Sequence, residues 1–261
     1  AMRKTDFVDT LRQDLGFAVR QLRKSPGFVT ITVLTVALAI GATTAIFSIV
    51  DGILLRPLAF DEPEELVTVW SDYSRRGLPV REWFSYPNFH DLREEVTAFE
   101  GVSLYGGLGP TLTGSGEAEQ LMGSRVSHGM LSVVFAVEPV LGRGFLPEED
   151  VPGGPKVVLL SHGLWQRAFG GDPGLVGSTV LLSDVPYTVI GIMPENFLPP
   201  FTTADVYGLL HMDMTQFAGG RGSARFRAVG RLAGGASIEL ARTQATELGV
   251  RLEREYPESN T

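Results

Sequence analysis

Residues 28–50 carry no charged side chain, and this run constrains the chain more than any other feature. As a helix rising about 1.5 Å per residue, its 23 residues extend roughly 35 Å, enough for a hydrocarbon core about 30 Å thick. Ser25-Pro26 supplies a start signal, because Ser can cap free amides and Pro fits the first turn. No strong stop follows until Arg56-Pro57, so the helix is expected to continue as a short stalk to about residue 56. Two other readings stay open. A cleavable signal peptide would have a shorter apolar stretch after a shorter basic leader. A buried soluble helix would show polar residues on one side, whereas here only small hydroxyls interrupt the run.

The flanks set an orientation. Residues 1–27 hold six basic and three acidic side chains, a net +3, which leaves −11 of the chain's −8 to the rest. Arg12, Arg20, Arg23 and Lys24 precede the run, whereas in residues 51–70 only Arg56 follows it, among Asp51, Asp61, Glu62, Glu64 and Glu65. Basic flanks stay cytoplasmic, so the N terminus is expected inside and the acidic bulk outside. The same acidity argues against nucleic acid as a partner, since phosphate contacts need a basic face. Ala37, Gly41 and Ala45 recur at four-residue spacing, which either admits a close helix neighbour or is ordinary anchor composition. Within 1–27, Val8, Leu11, Leu15, Ala18 and Leu22 step by three and four, predicting an amphipathic helix that lies on the inner membrane surface or docks to a cytoplasmic partner, or else a short solvated one.

After residue 61 short strands alternate with short helices. Residues 66–70 read as a strand, and Pro87 starts a helix with Phe89, Leu92, Val96 and Phe99 on one face. Residues 108–116 read as a Gly/Thr/Ser loop and 119–127 as a strand. Residues 156–161 form a buried-type strand, and a short helix carrying Leu164, Trp165, Ala168 and Phe169 follows. A hairpin is predicted from 179–182 and 187–193 around 183–186, then a strand at 205–210. In 225–232, Arg225, Arg227 and Arg231 alternate with apolar or small residues, the period of a half-buried strand with a solvated arginine face or an anion-binding stripe. Ser237 caps a last helix whose Ile238, Ala241, Ala245, Leu248 and Leu252 share a face, and Tyr256-Pro257 stops it. The fold class is therefore α+β: one N-terminal transmembrane helix, then a mixed α+β domain.

No constellation in the sequence carries a reaction, and no catalytic, cofactor-binding or metal site is expected. With no cysteine, thiolate chemistry, disulfides and Cys-ligated metals are excluded. No phosphate-binding G-x-x-x-x-G-K-[ST] occurs, and the glycine clusters 106–109 and 219–222 read as loops. His90, His128, His162 and His211 show no ligand spacing. Ser161 sits in a run resembling a nucleophile elbow, but Leu159 stands where the first Gly belongs, so Ser161 is expected to cap the following helix. Glu148-Glu149-Asp150 reads as a solvated acidic cluster.

Several segments in order resemble a known family. They are residues 14–28 (DLGFAVRQLRKSPGF), 40–48 (IGATTAIFS), 54–58 (LLRPL), 85–89 (SYPNF), 141–143 (LGR), 160–167 (LSHGLWQR), 186–194 (PYTVIGIMP) and 251–257 (RLEREYP). Together they resemble the opening of MacB-type ABC transporter permeases, most closely the duplicated permeases of acidobacteria. The resemblance covers essentially the whole chain and implies a division of parts. Residues 1–27 would be a cytoplasmic helix, 28–50 the transmembrane helix, 57–140 with 206–261 a porter-like periplasmic subdomain, and 141–205 an inserted strand-rich subdomain.

It also implies a function: coupling ATP hydrolysis by a separate cytoplasmic ATPase to periplasmic movement, that is, export by mechanotransmission. Implied partners are that ATPase, other permease halves or further transmembrane helices, a periplasmic adaptor with an outer-membrane duct, and membrane lipid. The family's usual polar–aromatic pair is replaced at Ser127-His128-Gly129-Met130-Leu131, and Ser183-Asp184-Val185 lacks its Asn-Gly turn. Because such permeases have more spans, the sequence is expected to be a piece of a longer protein. From the residues alone, a membrane-anchored sensing or scaffold module remains open, as does a hydrolase acting through Ser161.

Overall fold

In the computed structural model, which describes residues 17, 20–50, 62–74, 77, 83–114, 116–197, 199, 204–212 and 220–260, α1 spans Pro26–Val50. Thr30, Thr35 and Thr43 each donate Oγ1–H to the carbonyl four residues back, at 2.8–2.9 Å. These three hydroxyls are thereby satisfied within the helix, as a span in lipid would require. Among the described residues, Pro26–Ser48 is the one helix long and apolar enough to cross a membrane. Residues 20–24 are also helical. Most of the predicted amphipathic stripe (Val8, Leu11, Leu15, Ala18), the stalk to about residue 56, and Gly219 lie outside the described residues.

The chain divides into two units, 1–57 and 58–261. The second is built on one sheet. Its strands are β1 (Leu66–Val69), β2 (Phe99–Leu108), β3 (Thr111–Thr113), β4 (Glu119–Gln120), β5 (Gly123–Val126), β6 (Leu141–Gly142), β7 (Val157–Leu160), β8 (Thr179–Leu182), β9 (Val185–Ile192), β10 (Val206–Leu209) and β11 (Arg227–Leu232). They run in the order β1-β11-β2-β5-β10-β7-β9-β8-β3-β4, with β6 beside β9. Pairing is antiparallel except for β10 with β5 and β7 with β9.

Three helices pack on or beside the sheet: α2 (Tyr86–Glu95), α3 (His162–Phe169) and α4 (Ile238–Glu255), with a short α5 (Pro257–Asn260) after them. Each of the first three begins with a serine whose Oγ accepts an amide N–H three residues on: Ser85 from Asn88, Ser161 from Leu164, Ser237 from Leu240. Such caps satisfy one of the amides a helix start leaves free. α2 and α4 cover one face of the β1–β11–β2 region through Phe89, Leu92, Val102, Leu104, Ala228, Leu248 and Leu252. A five-residue π-helical turn, Met130–Val134, contributes Met130, Leu131 and Val134 to a second cluster with Tyr105, Val126 and Val229. The alternation of β2 and β11 residues between these clusters places the second on the opposite face. A third cluster joins α3 to β7, β8 and β9 through Leu164, Leu160, Val180 and Val189.

Several sequence expectations need correction. The glycines at 106 and 107 are not in a loop but in β2, which runs unbroken to Leu108, and the expected 108–116 loop contains β3. Gly106 weakens a strand, yet the Phe226 ring covers the place where its side chain would be. The 119–127 strand is broken at Leu121-Met122. The predicted hairpin forms, and Ser183 and Asp184 both take positive φ (51° and 61°) in a two-residue turn that Asn-Gly would ordinarily supply.

Candidate functional site

Among the described residues, side chains left over from the strand pattern meet at several polar junctions. Arg231 alternates out of the α2/α4 face of β11 and enters the second cluster, because β11 is a central strand covered on both sides. It is buried, donates Nε–H to the Val134 carbonyl at 2.9 Å, and reaches Glu65 Oε2 at 3.2 Å. The predicted solvated arginine face therefore holds for Arg225 and Arg227, which are exposed, and fails for Arg231.

The acidic cluster is also not simply solvated. Glu149 accepts from Arg143 Nη2 at 2.6 Å and Nη1 at 3.0 Å, and from the Leu146 amide at 3.0 Å. Asp150 accepts the amide of His128 at 3.0 Å and the amide of His211 at 2.9 Å, while His128 Nδ1 lies 3.6 Å from it. Its carboxylate thus ties together the chain just beyond the ends of the parallel neighbours β5 and β10. Two of the four scattered histidines meet here, across 22 and 61 residues of sequence from Asp150. The Arg143 hydrogen bonds hold the Glu149 carboxyl below the usual range against the opposing effect of burial. Burial pushes the Asp150 carboxyl up, but the hydrogen bonds from His128 and the two amides outweigh it and the net shift is down.

Both carboxyls therefore titrate lower folded than unfolded. Their stabilisation is complete above about pH 4–5, where the unfolded carboxyls are ionised, and is lost as pH falls through the folded values. Urea midpoints of the chain in detergent, measured from pH 7 to pH 3, should decline toward acid. Asp150→Asn should lower the plateau and flatten that decline; an unchanged slope would remove Asp150 from this role.

At the third junction Arg221 Nη1 donates to Asn88 Oδ1 at 2.8 Å and to Asp91 Oδ2 at 2.6 Å, with its guanidinium 4.1 Å above the Tyr256 ring centroid. Asn88 Nδ2 in turn donates to Tyr73 OH at 3.2 Å and to Asn260 Oδ1 at 2.6 Å.

None of these junctions sets a nucleophile beside a base. The Ser161 hydroxyl is engaged as the α3 cap, and the His162 ring faces Trp165 edge-on at 5.4 Å. His90 lies 4.0 Å from Asp91. Among the described residues no group of three or more His, Asp or Glu side chains is placed to hold a metal ion. Sequence reasoning missed Arg143, Asn88, Arg221 and the Asp150–His128–His211 junction. Arg143 and Asn88 stand inside LGR and SYPNF, two of the segments that carry the family resemblance, which was the available signal.

The family described as the MacB-like periplasmic core domain matches residues 29–248. The chain belongs to this family of ABC transporter permeases. MacB-like domains of known structure share the fold. The periplasmic region of MacB from Actinobacillus actinomycetemcomitans is 13% identical, with a TM-score of 0.54 over 77% of this chain and 90% of that one. The extracellular domain of the noncanonic ABC-type transporter YknZ from Gram-positive bacteria is 16% identical, with a TM-score of 0.52 over 75% and 95%. At these identities the likeness establishes the MacB-like fold. No curated protein sequence matches the chain.

Proposed function

We propose that the chain is a non-enzymatic part of a MacB-type permease. On this reading it anchors through α1 with its N terminus in the cytoplasm and holds the sheet domain in the periplasm. There the domain moves in response to ATP hydrolysis by a separate cytoplasmic ATPase and so drives export. The observation that carries it is a match to the MacB-like periplasmic core domain over residues 29–248 that takes in most of a membrane-length helix at 26–48. Orientation is supported by Arg20, Arg23 and Lys24 before the span and the acidic excess after it. A periplasmic adaptor and outer-membrane duct, and the division into a porter-like part (57–140, 206–261) and an insertion (141–205), belong to the same reading.

The absence of cysteine gives a clean background for testing topology. In intact spheroplasts a membrane-impermeant maleimide should label Glu148→Cys and spare Gln21→Cys until the membrane is opened. The reverse pattern overturns the orientation. The full-length protein should co-purify with a nucleotide-hydrolysing subunit and retain its activity with Ser161→Ala. Failure to recruit any ATPase would favour the membrane-anchored sensing or scaffold module instead.

A further inference from the structure

The chain that leaves α1 joins the sheet at its edge. β1 is the terminal strand of the sheet order and, among the described residues, is bonded to β11 alone. Its four pairs run from Leu66 with Arg231 to Val69 with Ala228. A strand held on one side only, and pulled from its end, parts from its neighbour one pair at a time. Leu66 is the end that would open first.

Arg231 stands at that end. Its buried guanidinium joins three segments. Nε–H donates to the Val134 carbonyl at 2.9 Å, and Nη1 donates to the Glu65 carboxylate at 3.2 Å and to the Glu62 carbonyl at 3.5 Å. Val134 is wholly buried and ends the Met130–Val134 turn, which packs into the second cluster. Glu62 and Glu65 close the 3-10 turn Pro63–Glu65, in which the Glu65 amide donates to the Glu62 carbonyl at 3.0 Å. Glu62 itself has φ +47°, a left-handed backbone that an L-residue keeps only where its surroundings hold it.

Stability alone does not call for an arginine here. An apolar side chain of similar size is often as stable as a buried ion pair, because the charges must first be stripped of water. What an apolar residue lacks is directional bonds to several separate acceptors.

We propose that Arg231 is a clamp that carries tension from the membrane helix into the core of the sheet domain. A pull arriving through the chain before Glu62 meets the bonds from Arg231 to Glu62 and Glu65 before it reaches the β1 ladder. Arg231 passes that pull to β11, a central strand, and to Val134 in the second cluster. The domain then moves as a body, and β1 stays in the sheet. The use of the clamp in coupling rests on the permease reading; the clamp itself belongs to the folded chain and can be measured without an ATPase.

Optical tweezers on the whole chain in detergent provide the test. The cysteine-free sequence accepts thiol handles at Leu58→Cys with Glu247→Cys, which send the load through the entry turn. Handles at Glu195→Cys with Glu247→Cys, both exposed positions, bypass it. Arg231→Met keeps an unbranched side chain and removes the guanidinium, whereas Glu65→Ala leaves Arg231 in place and removes its acidic partner. With the entry handles, both variants should open about tenfold faster or more at a given force, since each loses a charge-assisted hydrogen bond worth at least that factor. With the bypass handles, Glu65→Ala should open at the native rate. Glu65→Ala also carries the test alone if Arg231→Met does not fold. Native opening rates in Glu65→Ala with the entry handles overturn the clamp. Equal acceleration with both handle pairs would make the ion pair a general stabiliser and also overturn it. A clamp found in a protein that recruits no ATPase would stand while the permease reading fell, so the two failures are distinguishable.

Discussion

Gly142→Ala is expected to lower the stability of the sheet domain by about 3 kcal/mol or more, although only one methyl group is added. Gly142 in β6 pairs with Gly191 in β9, and its φ is +80°. An L-residue in the left-handed region costs about 1–2 kcal/mol, and here the strain is the smaller part. A Cβ at 142 would run into the Ile190 carbonyl oxygen and approach Gly191 Cα to 2.7 Å. Both obstacles are backbone of an internal strand and cannot rotate away. A Cβ at 191 meets the same close approach from the other side, 2.7 Å from the Leu141 oxygen and 2.8 Å from the Arg143 oxygen.

The damage should also spread. The Ile190 carbonyl accepts the Arg143 amide at 2.9 Å, and Arg143 holds Glu149, the neighbour of Asp150. Displacing β6 therefore loosens the link between the β5 and β10 ends. Gly144→Ala, two residues on, has open space and no positive φ, so it should be near neutral. Urea denaturation of the two variants, followed by tryptophan fluorescence in detergent, makes the comparison. Equal midpoints would sink the close-approach argument.

These glycines show what a sequence states and what it withholds. Gly142-Arg143 stood out in the segment LGR, but nothing local says that Gly142 faces another glycine 49 residues later. The elements that were legible are those fixed by neighbours in the chain. The Ser161 and Ser237 caps lie three residues from the amides they accept, the 179–192 hairpin joins neighbouring segments, though its turn is two residues and not the four of 183–186, and α1 needs only an unbroken apolar run. What was misread depended on distant partners. β2 looked like loop because Gly106 and Gly107 are poor strand formers, and only Phe226, brought by β11, makes Gly106 a strand residue. Arg231 looked solvated because alternation gives the face and not what covers it; the Met130–Val134 turn does. The Asp150 junction draws on two histidines whose spacing carries no metal or catalytic pattern, so no local signal marked it.

Placing two arginines in α1, Val36→Arg with Ile40→Arg, is expected to abolish membrane insertion, whereas either alone should reduce it only in part. The large apolar side chains of α1 are exposed all round, from Phe28 at 70% through Leu34 and Leu38 to Ile46 at 64%. A helix apolar on every side needs an apolar surround. Residues 28–50 contain twelve Leu, Ile, Phe and Val, each worth about −0.3 to −0.6 kcal/mol of insertion near the centre, or roughly −5 kcal/mol together. One central arginine costs about 3 kcal/mol and leaves a small surplus for insertion; two cost about 6 kcal/mol and reverse the sign. Phe28→Arg, near the helix start, should be tolerated, because a long basic side chain there can reach the interface. Carbonate-washed membranes measure this directly: the native chain and Phe28→Arg should stay in the pellet, single central variants should divide, and the double variant should be lost from it. Full retention of the double variant would mean that the chain is held to the membrane by something other than α1, and the anchor on which the permease reading rests would have to be abandoned.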